Sequence, residues 1–131
     1  MTVAVKAFSI WLAILLLAIL NGLLREAVLV PLLGPVAGLV ASGLLLSALI
    51  LLVAYLTLPW LGVRGAGPLV AVGLGWLALT LVFEFCFGLW QGKPWSVILA
   101  AYTFEGGNLW PLVLAVTTVA PYIAGWLRGR A

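Results

Sequence analysis

The chain has 131 residues, of which 66% are hydrophobic and only 7% are charged, with six basic residues, three acidic residues and no histidine. Soluble globular domains are about 45–50% apolar and about 25% charged. This composition excludes a water-soluble protein and predicts one transmembrane domain over residues 1–131. The basic residues behind the net charge of +3 are scattered singly, as in membrane loops, so we expect no nucleic-acid partner.

Four apolar stretches are long enough to cross a bilayer, which takes about 20 mostly apolar residues in an α-helix. The first reaches Asn21-Gly22 without the small-residue cleavage pattern of a signal peptide, so we interpret it as a retained helix that can continue to about Val30. Proline and glycine cluster between the stretches, as in turns. The predicted spans cover residues 5–24, 35–58, 69–90 and 108–127.

A shorter apolar segment, residues 94–104, lies between the third and fourth spans. Runs of about 10–14 apolar residues are too short to cross, and they usually lie at the interface or re-enter the membrane. Pro94 suits the first turn of a helix, and Trp95 and Tyr102 suit the headgroup level; a plain loop is the alternative. The predicted fold is therefore all-α, with four transmembrane helices and a short interfacial or re-entrant helix.

The positions of the basic residues predict the orientation. With four spans, both termini and the loop after the second span share one side of the membrane, and the other side holds Arg25 and Lys93. The first side holds Lys6, Arg64, Arg128 and Arg130. The positive-inside rule then places both termini in the cytoplasm.

Glu84 is an acidic residue inside the third span, within TLVFEFCFGLW. It lies about 10 Å below Gln91 at the end of that span, where an ionised carboxylate must be paired, protonated or reached by water. Arg25, at the end of the first span, is long enough to dip inward, so we predict an Arg25–Glu84 ion pair within a polar cluster. The cluster comprises Asn21, Arg25, Glu84, Glu105 and Asn108.

Structural interpretations of these residues stay open. The Arg25–Glu84 pair could clamp the first helix to the third instead of serving a ligand. Asn108 could be a helix N-cap, and Glu26 and Lys93 are interpreted as solvated charges at the rim.

Small residues predict which helix faces pack. Gly73, Trp76, Gly88 and Gln91 share one stripe of the third helix with Glu84, and small or polar residues on one stripe mark a packed face. The second helix carries small residues four apart, which let helices approach closely and fit homodimerisation. These pairs are Gly34–Gly38, Gly38–Ser42 and Gly43–Ser47.

Three stretches resemble an uncharacterised family of small bacterial multi-pass membrane proteins. They are NGLLREAVLVPLLG (21–34), LTLVFEFCFG (79–88) and LWPLVLAVTTVAPY (109–122). Sequences of this kind show N-G-x-x-R-E and F-E-F-x-F-G at similar positions, matched here by Asn21, Arg25, Glu26, Glu84 and Gly88, whereas LWQGKPW after Gly88 departs from the pattern. The resemblance implies a four-helix layout in the bacterial plasma membrane and no particular reaction.

Two functions fit these features. The first is a structural or accessory membrane protein whose polar cluster holds helices together or presents a surface to lipid or a partner protein. The second is a conduit for a small solute, an ion or protons, formed by a homo-oligomer that uses Glu84 and Arg25. An enzyme is disfavoured, because the chain has no histidine, one cysteine and no paired carboxylates at one site. We expect no cofactor and no metal.

Overall fold

The computed structural model describes residues 2–100, 102–103 and 109–130 of the chain. Helices joined by short turns make up this part of the protein. In chain order they are α1 (Val3–Leu24), a π-helical turn (Arg25–Leu29), α2 (Val30–Leu33), α3 (Pro35–Leu61), α4 (Ala66–Trp90), α5 (Trp95–Ala100) and α6 (Trp110–Leu127).

Four segments are long and apolar enough to cross a membrane: Val3–Leu33, Pro35–Leu61, Ala66–Trp90 and Trp110–Leu127. The predicted all-α fold of a multi-pass membrane protein is confirmed. A bilayer core offers no water to backbone N–H and C=O groups, so each span satisfies its own groups as a helix. The short helix α5 occupies the segment that the sequence predicts to be interfacial or re-entrant.

A tight turn at Gly34 joins the first spanning segment to α3. Gly34 has a φ of 91°, a left-handed conformation that favours glycine, and Pro35 follows in the first turn of α3, where its missing N–H is harmless. A Cβ at Gly38 would lie 2.8 Å from the Val30 Cα. The turn therefore folds α2 directly back onto α3.

The helices form a bundle with α3 and α6 at its centre. Helix α6 packs closely against both α3 and α4, and α1 packs against α3. Helices α1 and α4 run parallel, because Ala7 is level with Trp76 and Trp11 with Thr80, yet they touch sparsely. The α1–α4 side of the bundle is therefore its loosest seam.

Glycines set the closest approaches between α4 and α6. A Cβ at Gly73 would overlap the backbone carbonyl of Thr118, and one at Gly125 would meet the Leu69 side chain. Lipid supplies no hydrophobic drive for helix association, so such close backbone contact is the main attraction between spans.

The packed faces predicted from small residues are mostly correct. On α4, Gly73, Trp76 and Gly88 are buried, whereas Gln91 is exposed. On α3, the small residues Gly38, Ser42 and Ser47 are buried within the chain itself. These residues of α3 therefore serve packing inside one chain and do not offer a free surface to a second copy.

Replacing Gly73 with alanine is expected to destabilise the bundle, because the new methyl group would collide with the Thr118 carbonyl. Overpacking of this kind costs about 1–3 kcal/mol. Gly75→Ala is the matched control, since a Cβ at Gly75 meets nothing within 4 Å. The measurement is unfolding of the purified protein by SDS titration, followed by circular dichroism. Equal stability of the two variants would contradict the close α4–α6 approach.

Candidate functional site

Two aromatic donors hold the carboxylate of Glu84. The Tyr102 hydroxyl donates a hydrogen bond to Glu84 Oε2 over 2.9 Å, and Trp110 Nε1 donates to the same oxygen over 2.6 Å. The Tyr102 ring also stacks on Phe85, with centroids 5.6 Å apart and an interplanar angle of 9°. The segment after α5 and the start of α6 are thereby tied to the last two turns of α4.

Tyr102 is suited to remain a donor. Burial, and after it the hydrogen bond to Glu84, raises the pKa of Tyr102 above its usual value. The phenol therefore keeps its proton at physiological pH and can donate to the carboxylate throughout that range. An O–H bonded to a carboxylate is a charge-assisted hydrogen bond, which is stronger than a neutral one.

The predicted Arg25–Glu84 ion pair is wrong. Within the described part of the chain, Arg25 pairs instead with its neighbour Glu26, with 3.1 Å between Arg25 Nε and Glu26 Oε1. The Glu26 side chain is 70% exposed, so this pair lies at the rim and contributes little to stability. A direct Arg25–Glu84 clamp between α1 and α4 is therefore not formed.

The register of α1 against α4 explains why this pair does not form. Trp11 bonds to Thr80 and Trp76 bonds to Ala7, so residues at one level on the two helices differ by 69 in number. At the same offset, Glu84 is level with Leu15. Arg25 therefore lies about 15 Å further along the axis, at 1.5 Å per residue. Hydropathy places both residues in the same half of the membrane but cannot fix this register.

Asn21 joins α1 to α3 and does not contact Glu84. Its Oδ1 accepts a hydrogen bond of 2.5 Å from Ser42 Oγ, and only 5% of the residue is exposed. Its Nδ2 is buried without a hydrogen-bond partner. Buried donors are nearly always satisfied, so this amide is an exception close to the site. The other two members of the predicted cluster, Glu105 and Asn108, lie outside the described residues.

A cavity of about 450 Å³ nevertheless brings the predicted residues together. It lies between α1, α3, α4 and α6, at the end of the bundle where α1 and α4 end and α6 begins, and we call it the four-helix cavity. Its polar lining residues are Asn21, Arg25, Ser42, Thr80, Glu84, Lys93 and Thr117. Arg25 and Glu84 thus share one cavity without touching.

The rest of the lining of the four-helix cavity is apolar, so its walls are mostly apolar. They come from all four surrounding helices and include Ile14, Leu46, Ile50, Phe83, Phe87 and Val113. The Arg25 guanidinium folds back along α1, since a Cβ at Gly22 would lie 3.7 Å from Arg25 Nη2. Two basic side chains therefore stand at the end of a largely apolar chamber, an arrangement that matches an amphipathic anion.

Sequence reasoning missed three side chains of this site. Lys93 is interpreted from the sequence as a rim charge, yet it lines the cavity. Tyr102 and Trp110 fit the pattern of interfacial anchors, yet they hold the carboxylate. The available signal is chemical: an acid in an apolar run needs donors, and Tyr and Trp are the donors that tolerate burial best.

Comparison with protein-family models, curated proteins and solved structures yields no match for this chain. The resemblance to small bacterial membrane proteins therefore stays an expectation from sequence.

Double-mutant cycles are expected to separate the two possible partners of Glu84. Coupling between Trp110→Phe and Glu84→Leu, which removes the accepting oxygen, should reach about 0.6–1.7 kcal/mol, the range for hydrogen bonds between membrane helices. Coupling between Arg25→Gln and Glu84→Gln should be close to zero, because the side chains do not touch. The measurement is SDS unfolding of all single and double variants, with the exposed Tyr122 on α6 as control (Tyr122→Phe). Stronger coupling to Arg25 than to Trp110 would contradict the geometry.

Proposed function

We propose that this chain is a lipid-interacting membrane protein whose four-helix cavity binds a lipid with an anionic headgroup. The observation that carries this proposal is the placement of Arg25 and Lys93 at one end of a cavity with apolar walls. An anionic phosphate would lie between the two basic side chains, and the upper part of an acyl chain would occupy the apolar chamber.

The charge balance of the cavity favours an anion. Among its described lining residues, Glu84 is the one acid, and its Oε2 already accepts hydrogen bonds from Tyr102 and Trp110. Arg25 shares part of its charge with the exposed Glu26, whereas no described acid forms an ion pair with Lys93. Basic residues near the membrane surface attract anionic lipids by about 1 kcal/mol each.

The walls favour a lipid over a soluble anion. Ile19 and Phe87 line the cavity and are also 50% and 43% exposed on the outside of the bundle. The cavity therefore continues to the surface that faces acyl chains in a bilayer, between α1 and α4. A ligand can keep its tail in the bilayer while its headgroup contacts Arg25 and Lys93.

The proposed location is the bacterial plasma membrane, with both termini in the cytoplasm. The excess of basic residues at the end that carries both termini supports this orientation. The four-helix cavity would then open towards the outer leaflet. Association with a second copy of the chain or with a partner membrane protein stays an expectation.

A conduit for protons or a small solute is the second candidate, because the four-helix cavity reaches Glu84 from one end. Beyond Glu84, the hydrogen-bonded side chains of Trp11 and Thr80 close the interior. Wild-type protein in liposomes is therefore expected not to dissipate a pH gradient, measured with an internal pH-sensitive dye. Proton flux that Glu84→Gln abolishes would support the conduit instead.

Removing both basic groups is expected to remove the preference for anionic lipid. Arg25→Gln/Lys93→Gln should weaken binding of phosphatidylglycerol by about 30-fold, since each basic residue contributes about 1 kcal/mol. Lys6→Gln/Arg130→Gln is the charge-matched control at the other end of the bundle and should bind like the wild type. The measurement is native mass spectrometry of the protein in detergent, titrated with phosphatidylglycerol or phosphatidylcholine.

Two results would contradict the proposal. Equal binding of phosphatidylglycerol and phosphatidylcholine to the wild type would show that charge does not select the ligand. Displacement of phosphatidylglycerol by millimolar inorganic phosphate would assign the site to a free anion instead of a lipid.

A further inference from the structure

A second cavity lies at the opposite end of the α1–α4 seam. Its volume is about 710 Å³, and we call it the α1–α4 groove. It is lined by the start of α1, the first half of α4 and the turn before α4, including Val3, Phe8, Arg64, Val72 and Gly75. Its lining also places one basic residue, Arg64, at the far end of the same seam.

A single layer of side chains separates the groove from the four-helix cavity. Trp11 Nε1 donates to Thr80 Oγ1 over 3.0 Å, and Trp76 Nε1 donates to the Ala7 carbonyl over 2.9 Å. Trp11 and Thr80 line the four-helix cavity, whereas Ala7 and Trp76 line the groove. We call these four residues the tryptophan layer.

The tryptophan layer supplies the side-chain hydrogen bonds between α1 and α4 in the described part of the chain. Contact between the two helices is otherwise sparse. Helix α4 is held separately by α6 through Gly73, and α1 by α3 through the Asn21–Ser42 hydrogen bond. Separation along the seam would break these two hydrogen bonds and the edge-to-face contact of Trp11 with Phe83, whereas the attachments of α4 to α6 and of α1 to α3 lie elsewhere.

We propose that the α1–α4 seam is a path for the headgroup of an anionic lipid between the two leaflets, with the tryptophan layer as its barrier. This inference rests on the proposed function, because the four-helix cavity is one end of the path. The headgroup would move from Arg25 and Lys93 past the indole N–H groups to Arg64. The acyl chains would stay in the bilayer, because the cavity reaches the outside of the bundle at Ile19 and Phe87.

The chemistry of the layer fits a barrier to a phosphate-bearing headgroup. In the closed layer both indole N–H groups are bonded internally, and the Thr80 hydroxyl donates to the Trp76 carbonyl over 2.8 Å. An anionic headgroup in the middle of the membrane therefore meets no free donor there, and it can pass only when both indole hydrogen bonds break and α1 and α4 separate.

The test uses the full chain in phosphatidylcholine vesicles with phosphatidylglycerol and a trace of NBD-labelled phosphatidylglycerol. Dithionite added outside quenches label in the outer leaflet, and slower quenching reports label that arrives from the inner leaflet. Trp11→Phe/Trp76→Phe keeps both rings and removes both indole donors. It is expected to speed this slow phase about 8-fold, the value for two intramembrane hydrogen bonds of average strength.

Control variants test whether a change in the rate of lipid movement comes from the tryptophan layer or from replacing tryptophans in general. Trp60→Phe/Trp126→Phe replaces two exposed tryptophans at helix ends and should leave the rate unchanged. Thr80→Val removes one acceptor with less disturbance and should give a smaller increase, which keeps the test valid if the double variant fails to fold. If the slow quenching phase keeps its rate in both Trp11→Phe/Trp76→Phe and Thr80→Val, the tryptophan layer is not the barrier.

A blocking variant tests the path itself. Gly75 lines the groove, and a Cβ there meets nothing within 4 Å, so Gly75→Leu should fill the groove and slow lipid movement. Gly67→Leu, also at a position with open space around its Cβ, is the control outside the groove. Phosphatidylglycerol binding in detergent should be unchanged by both.

The two proposals fail in distinguishable ways. Binding of phosphatidylglycerol that depends on Arg25 and Lys93, without any slow phase above that of protein-free vesicles, overturns the path and leaves the binding site standing. If the wild type does not prefer phosphatidylglycerol over phosphatidylcholine, both the binding site and the path are overturned. A slow phase that Gly75→Leu does not affect places lipid movement elsewhere and also overturns the path.

Discussion

A carboxylate inside a bilayer must find donors, and the position of Glu84 imposes this requirement on the whole Arg25 end of the bundle. The donors are the Tyr102 hydroxyl and the Trp110 indole. Trp110 is the first residue of α6, and Tyr102 follows α5. Glu84 therefore binds side chains on both sides of residues 104–108. Glu84 is held by aromatic donors and not by a cation, and Arg25, paired with Glu26, and Lys93 both line the four-helix cavity.

The spans could be predicted from the sequence because hydropathy and turn residues act locally. The packed stripe of α4 followed from the same local pattern, since Gly73 and Trp76 recur at helical spacing. The partner of Glu84 could not be predicted this way. It depends on the register between α1 and α4, which the Trp11–Thr80 and Trp76–Ala7 bonds fix in three dimensions.

Side-chain size explains where the bundle is tight and where it is open. Gly73 lets α4 approach the α6 backbone, and Gly38 lets α3 approach Val30. The α1–α4 seam instead carries Trp11 and Trp76 at its middle, and two indoles hold the helix axes apart. Spaces therefore remain above and below them, which are the four-helix cavity and the α1–α4 groove.

The π-helical turn at Arg25–Leu29 has a geometric consequence for the first spanning segment. In an unbroken α-helix, Asn21 and Val30 would project about 180° apart, at about 100° per residue. The turn takes up one extra residue, which reduces the separation to roughly 80°. Both residues can then face α3, Asn21 at Ser42 and Val30 at Gly38. Straightening the turn into α-helix at full length would put these two contacts out of phase, so that the first segment could keep one of its two attachments to α3 but not both, whereas deleting one residue there would restore an unbroken α-helix and keep both in phase.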